Sequence, residues 1–142
     1  MTTQKWVAAE SLVEVIATAA LDGDTTGTLT VGSETDNATG LYQCVAVEVT
    51  LGSINPTGTP YVELYIFYAL DGTNYEDNSA SLSHALVASL PVTTGSSAKA
   101  VSSRLIPILP FKYKLAIRNQ TGQTLATGGN SVQAARFYEQ SV

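Results

Sequence analysis

Three residue types that carry much of protein chemistry occur once each in these 142 residues, as Cys44, His84 and Trp6. A single cysteine excludes an internal disulfide and any zinc cluster built on thiolates. Cys44 stands in an alternating apolar run, where a thiol acts as a small buried hydrophobe. With a single histidine, a Ser-His-Asp nucleophile system would have to run through His84, in the polar stretch S-L-S-H-A, and no G-x-S-x-G turn accompanies it. The chain therefore reads as a non-enzyme that needs no cofactor and no metal. Charged residues make up 13% of the chain, about half the usual share. Basic charge is the scarcer sign: seven Lys and Arg against twelve Asp and Glu give a net charge of −5. That balance argues against a nucleic-acid partner, which needs cations to replace phosphate counterions. No apolar run nears the ~18 residues of a membrane helix. The run Leu12–Leu21 is broken by Glu14 and has neither the basic segment nor the cleavage site of a signal peptide, so the expectation is no membrane and no export.

What is present is a sorting of charge by sign. Residues 1–77 hold eleven acids and one base, a sum of −10, and residues 78–142 hold six bases and one acid, a sum of +5. Either the two parts meet within one molecule, as interleaved strands would arrange, or an acidic surface of one copy meets a basic surface of the next. A surface poor in ions and rich in Thr, Ser, Gly, Asn and Gln also suits broad contact with other protein, because few charges must be desolvated.

Period-two alternation dominates the chain. In Lys112–Asn119, Tyr113, Leu115 and Ile117 point one way and Lys112, Lys114 and Arg118 the other, which predicts a half-buried strand with a basic outer face. Tyr61–Ala69 is apolar or aromatic on both faces, as a central strand covered on both sides would be. Leu41–Leu51 sets Val45, Val47, Val49 and Leu51 against Ala46, Glu48 and Thr50, and Ser131–Glu139 closes the chain with a further strand. Weaker strands are expected at Thr26–Val31, Ala85–Leu90 and Ala98–Ile108. Trp6–Leu21 is ambiguous between a strand near Leu12–Thr18 and a short helix near Ala17–Leu21. Asp71-Gly72, Asn55-Pro56-Thr57-Gly58, Asn119–Gly122 and Gly128-Gly129-Asn130 supply turns suited to an antiparallel meander. The sum is an all-β fold, an antiparallel β-sandwich or jelly roll of roughly eight strands. A single domain is expected over residues 11–142, preceded by an extended N-terminal arm over residues 1–10.

Four other chemistries have partial signals. Asp22-Gly23-Asp24 and Asp71–Asp77 are oxygen-rich, as calcium loops are, but lack the twelve-residue spacing, and D-G is an ordinary turn. Nothing marks any two carboxylates as a glycosidase pair. Tyr61, Tyr65 and Phe67 would form a sugar-stacking platform if their face were exposed; a strand packed on both faces is the plainer reading. Asn37-Ala38-Thr39 and Asn119-Gln120-Thr121 match the glycosylation pattern, which means little without secretion.

The runs Y-I-F-Y-A-L-D-G-T-N-Y-E-D, P-F-K-Y-K-L-A-I-R-N-Q-T-G-Q-T-L-A and G-N-S-V-Q-A-A-R-F-Y-E-Q resemble small structural proteins of tailed bacteriophages. The landmarks are Asp71, Gly72, Thr73, Pro110, Tyr113, Lys114, Asn119, Thr121, Gly122, Asn130 and Tyr138, and the likeness covers roughly residues 61–142. The resemblance implies a virion component assembled in the host cytoplasm: a capsid decoration (cement) protein on the outer capsid surface. Its partners would be the major capsid protein and copies of itself, as a trimer. A tail, neck or fibre-adaptor component and a carbohydrate-binding jelly-roll module are the alternatives. Trp6 and Val7, among polar residues of the arm, and the basic face of Lys112, Lys114 and Arg118 are the candidate partner-binding residues. Trp6 is either an interface anchor or a cap on its own core.

Overall fold

The computed structural model describes residues 3–8, 10–76 and 83–141. Ten strands lie among them: β1 (Gln4–Ala8), β2 (Val13–Ile16), β3 (Leu29–Thr35), β4 (Cys44–Ile54), β5 (Tyr61–Ala69), β6 (Leu86–Pro91), β7 (Ser97–Ser102), β8 (Ile106–Pro107), β9 (Lys112–Gln120) and β10 (Ser131–Ser141). One helical turn, α1 (Thr18–Leu21), follows β2, and a 3-10 turn (Ser83–Ala85) precedes β6. The opening region thus forms both a strand and a short helix. Val13, Val15 and Ile16 are β-branched and extend, and the Ala-rich stretch after them coils. Among the described residues no helix is long and apolar enough to cross a membrane.

The strands form two antiparallel sheets, consistent with a β-sandwich. One runs β1-β10-β4-β7, with β2 also on β10 and β8 on β4; the other runs β3-β9-β5-β6. The expected meander is not what forms. The partners are nested instead: β5 pairs β6, β4 pairs β7, β3 pairs β9 and β2 pairs β10. The chain changes sheet at each of the steps β2 to β3, β3 to β4 and β4 to β5. Both faces of β5 are therefore used. Val62, Leu64 and Ile66 enter the main core with Val45, Val47, Val49, Leu51, Tyr113, Leu115 and Ile117. Tyr65 and Phe67 enter a second, smaller cluster on the outer face with Ala85 and Ala116, against which Leu29, Val31 and Tyr75 pack.

The two sheets close together along one side, where β2 meets β3. Gly32 sits there with no room for a side chain: a Cβ would lie 2.4 Å from the Val15 carbonyl oxygen and 2.8 Å from Ile16 Cγ1. Along the other side the edges of β6 and β7 stand apart, leaving a cleft of about 450 Å³ lined by Val87–Leu90 and Ser102–Pro107. Lys99 is 3% exposed and has no carboxylate among the described residues on its ammonium; Nζ donates to the carbonyls of Gly95 (2.6 Å) and Thr94 (3.4 Å) and to Ser97 Oγ (2.8 Å). The cation thereby closes the turn between β6 and β7.

Candidate functional site

Strand direction assigns each loop to one end of the sandwich. One end is built by residues 36–43, 70–76 and 103–111, together with the start of β4 and the last residues of β10. The other is built by residues 22–28, 55–60, 93–96 and 121–130. Among the described residues, eight large apolar side chains are exposed. Seven of them, Leu12, Val13, Leu41, Leu70, Leu105, Leu109 and Tyr138, belong to or border the first end; the eighth, Leu86, opens β6. The opposite end carries none of them. It is a polar surface of Thr, Gly, Asp, Asn and Ser. Soluble domains rarely gather exposed leucines on one face unless something covers it.

Hydrogen bonds hold this apolar end in shape. Asn37 is fully buried. Its Nδ2 donates to the carbonyls of Leu109 (2.8 Å) and Tyr42 (3.0 Å), and its Oδ1 accepts from the Tyr42 N–H (3.0 Å). One side chain thus ties the 36–43 loop to the 103–111 loop. Tyr68 Oη accepts from the Leu109 N–H (3.1 Å). Asp36 opens the loop by accepting from the N–H groups of Ala38 and Thr39 at 2.9 and 3.3 Å. Those bonds, the Thr39 backbone bond foremost, hold its carboxyl below the usual aspartate range. The Leu41 N–H closes the turn on the Asn37 carbonyl at 3.0 Å. Leu41 takes φ 52°, the one positive φ outside glycine among the described residues, and is 62% exposed. A γ-branched apolar residue held left-handed in water is unfavourable on both counts, a pattern that marks functional loops.

Beside this end, β1 and the overhang of β10 form a two-stranded ribbon. β10 pairs with β4 only as far as Phe137 opposite Cys44, and beyond that point its ladder is with β1, from Ala8 opposite Phe137 to Gln4 opposite Ser141. The segment expected as an arm is therefore, over Gln4–Ala8, an edge strand on the last strand of the same chain. At its root Arg136 clasps Glu10. Nε donates to Oε1 (2.9 Å), Nη2 to Oε2 (3.0 Å) and the backbone N–H to Oε1 (3.3 Å), while Nη1 donates to the Asp36 carbonyl (2.8 Å). The guanidinium lies over the Tyr42 ring, 4.3 Å from its centroid. These bonds hold the Glu10 carboxyl below its ordinary range and push the guanidinium up, each chiefly through the hydrogen bond to the other.

The candidate partner-binding residues are not all in one place. Trp6 lies on β1 opposite Glu139, with its side chain outside the described residues, and Val7 lies opposite Tyr138, half-buried. Lys112, Lys114 and Arg118 do share the outer face of β9, and each is engaged within its own chain. Lys112 pairs with Glu34 at 3.3 Å, Lys114 stands 4.3 Å over the Tyr75 ring, and Arg118 reaches Glu63 at 3.8 Å and the Tyr65 ring at 5.3 Å.

The remaining candidates resolve into structural roles. The Tyr65 and Phe67 rings stack within the small cluster, both under 5% exposed, so they offer no platform for a sugar. Burial and the bond to Glu63 push the Tyr65 hydroxyl up to about 12. His84 is exposed and lies 3.4 Å from Glu76. Asp22 accepts from the Gly128 N–H and Asn130 Nδ2 at 2.9 Å each, Asp24 accepts from the Thr30 hydroxyl, and Asp71 caps Thr73 and Asn74. No group of three metal-ligating side chains occurs among the described residues. Both matches to the glycosylation pattern are internal: Asn119 is 1% exposed and holds Asp24 and Gln123 as Asn37 holds Tyr42 and Leu109. The exposed leucines were the feature missed in the sequence. Leu41, Leu70, Leu105 and Leu109 sit in or beside polar loops with no periodicity to mark them. The sequence matches no protein-family model and no curated protein.

Proposed function

We propose that this chain is a structural protein of a tailed-bacteriophage virion, a decoration protein that seats its apolar end on the outside of an assembled coat lattice. The observation that carries the reading is the gathering of seven exposed apolar side chains at or beside one end of a rigid sandwich, with the strained Leu41 among them. The nested strand pairing supports the finer description as a jelly roll, a double-sheet architecture of eight strands found in viral capsid domains. Such a protein does its work by being held. Each copy makes a modest apolar contact, and the symmetry of the lattice repeats it, so that avidity exceeds the strength of any one contact. The sugar-binding alternative loses its platform, because Tyr65 and Phe67 are packed under Leu29, Val31 and Tyr75.

Co-sedimentation with expanded shells and with isolated coat subunits tests this. Retention on shells with at least tenfold weaker binding to free subunits is expected. Equal binding to both, or assembly of the pure protein into rings or tubes as a tail component would form, would overturn it.

A further inference from the structure

We propose that the slot between β6 and β7 takes up an extended segment of another protein, an added strand with apolar side chains on one face and a carboxylate that meets Arg104. The inference concerns this edge of the sandwich and stands apart from what the apolar end docks on.

Three observations lead to it. The first is that both walls of the slot carry unused backbone groups. β6 ends one sheet and β7 the other, each laddered on one side only among the described residues, to β5 and to β4. Hydrogen-bonded and non-hydrogen-bonded pairs alternate along an antiparallel ladder, and residues of the second kind turn their N–H and C=O groups away from the partner. The Ser103 N–H donates to the Val47 carbonyl at 2.8 Å, so Ser102 and Ala100 turn theirs outward from β4. The Val92 N–H donates to the Pro60 carbonyl at 2.9 Å, so Ser89 turns its pair outward from β5, joined by the Pro91 carbonyl. Natural sheets blunt such edges with charge, proline or a bulge. β6 has Pro91 and a register shift beside Val87. Over Ala100–Ser102 β7 has none of these, and its one charge, Lys99, is turned into the preceding loop. β7 is therefore the edge that receives the ladder.

The second is that the main core is not covered over at the slot. Val87, Ala88 and Val101, on the two flanking strands, pack against it while only half-buried. Alternate side chains of a strand laid beside β7 point toward this rim. Apolar ones there leave water and complete the cover.

The third is Arg104, exposed on the wall of the slot. Ser103 fixes the backbone from which it projects: its Oγ accepts from the Val47 N–H (2.9 Å) and donates to the Arg104 carbonyl (2.8 Å). Lys112, Arg118 and Arg136 each reach a carboxylate of their own chain, and Arg104 reaches none among the described residues. A carboxylate on the entering strand supplies a partner that a guanidinium binds in bidentate fashion. The edge strands of a second copy do not bring one: L-V-A-S-L-P and S-A-K-A-V-S hold no acid. The occupant is thus an acidic segment of a different protein.

A random library of displayed seven-residue peptides is the probe. Selection on the parent is expected to enrich sequences that alternate Val, Ile, Thr or Tyr with polar residues and hold at least one Asp or Glu. The strongest binder, synthesised with blocked ends, is expected to shift the Ala100 and Ser102 amide resonances. Ala100→Pro removes an outward N–H that the β4 ladder does not use, and binding at least tenfold weaker is expected. Should that variant fold poorly, methylating every second peptide nitrogen, tried in both phases, asks the same of the other strand, and one phase is expected to lose binding as strongly. Arg104→Gln is expected to weaken the acidic peptide at least threefold and to leave its amide counterpart, Gln for Glu, unchanged. Enrichment of no sequence, amides of β7 that do not move, or binding indifferent to N-methylation or to Arg104→Gln overturns the proposal. So does a parent that dimerises while Ala100→Pro is a monomer, because the occupant would then be a second copy. Failure of the parent to bind coat shells would remove the virion reading and leave this one standing.

Discussion

Leu41 bears two costs in the free protein, a left-handed backbone and a side chain 62% exposed. Leu41→Gly removes both. Glycine adopts φ 52° without its Cβ meeting a carbonyl, so the variant is expected to unfold about 1 kcal/mol later than the parent in urea. The same change deletes an apolar side chain from the proposed docking end, and shell binding is expected to weaken at least tenfold. Stability and binding moving in opposite directions separates a residue held for docking from one held for folding; loss of both would mean that Leu41 only packs its own loop. Asn37 makes the opposite case. Asn37→Ala leaves the Tyr42 N–H and the carbonyls of Tyr42 and Leu109 without partners in a buried site. A cost of about 3 kcal/mol is expected, measured by denaturant unfolding. Neither role was legible in the sequence. Asn37 read as a glycosylation match, because a side chain that satisfies loops 72 residues apart leaves no local trace. Leu41 read as the first residue of a strand that in fact begins at Cys44.

At the scale of the element, alternation was a reliable guide wherever both neighbours of a strand are strands. β5 and β9 begin at Tyr61 and Lys112 as the pattern required, and β4 buries Val45, Val47, Val49 and Leu51 on one face. What alternation left open was pairing. A period of two says which face is buried and nothing about which strand lies beside it, so a meander and a nested order look alike until long-range partners form. Glycines carry some of that missing information. Gly32 interrupts β3 where the two sheets touch, and Gly32→Ala puts a methyl into the Val15 carbonyl. Destabilisation of about 3 kcal/mol is expected by thermal unfolding, since neither contact is the free end of a side chain. The root of β1 offers a test by pH. The Glu10 carboxyl lies below its ordinary 4.5 in the folded chain, through the Arg136 hydrogen bond first. It therefore adds stability in full above that value and loses it as pH falls through the lower, folded one. Between about pH 5 and about pH 3 the melting temperature of the parent is expected to fall more steeply than that of Glu10→Gln, with the two curves converging at the acid end. Parallel curves would mean that the clasp adds nothing to the fold.

For the whole molecule, the sorting of charge along the chain has an internal answer. Each Lys or Arg paired with a carboxylate among the described residues joins residues 78–142 to residues 1–77: Lys112 to Glu34, Arg118 to Glu63 and Arg136 to Glu10. The nested topology makes this unavoidable. β9 lies between β3 and β5, and β10 between β1 and β4, so every strand of the later, basic part that pairs broadly is flanked by strands of the earlier, acidic part. Opposite signs separated in sequence are thereby neighbours in space. The alternative, an acidic surface of one copy meeting a basic surface of the next, has correspondingly fewer charges to draw on. If apolar burial drives docking, as the leucines at one end suggest, then affinity for shells should respond weakly to salt. Raising ionic strength from about 0.05 M to about 0.5 M shrinks the screening length from roughly 14 Å to roughly 4 Å, which removes most attraction between separated surface charges and leaves apolar contact intact. Retention on shells is expected to change less than threefold over that range, and Lys112→Gln and Lys114→Gln to alter it no further. A steep loss with salt would place the binding energy in the charged face of β9 instead, and would return Lys112, Lys114 and Arg118 to the centre of the interface.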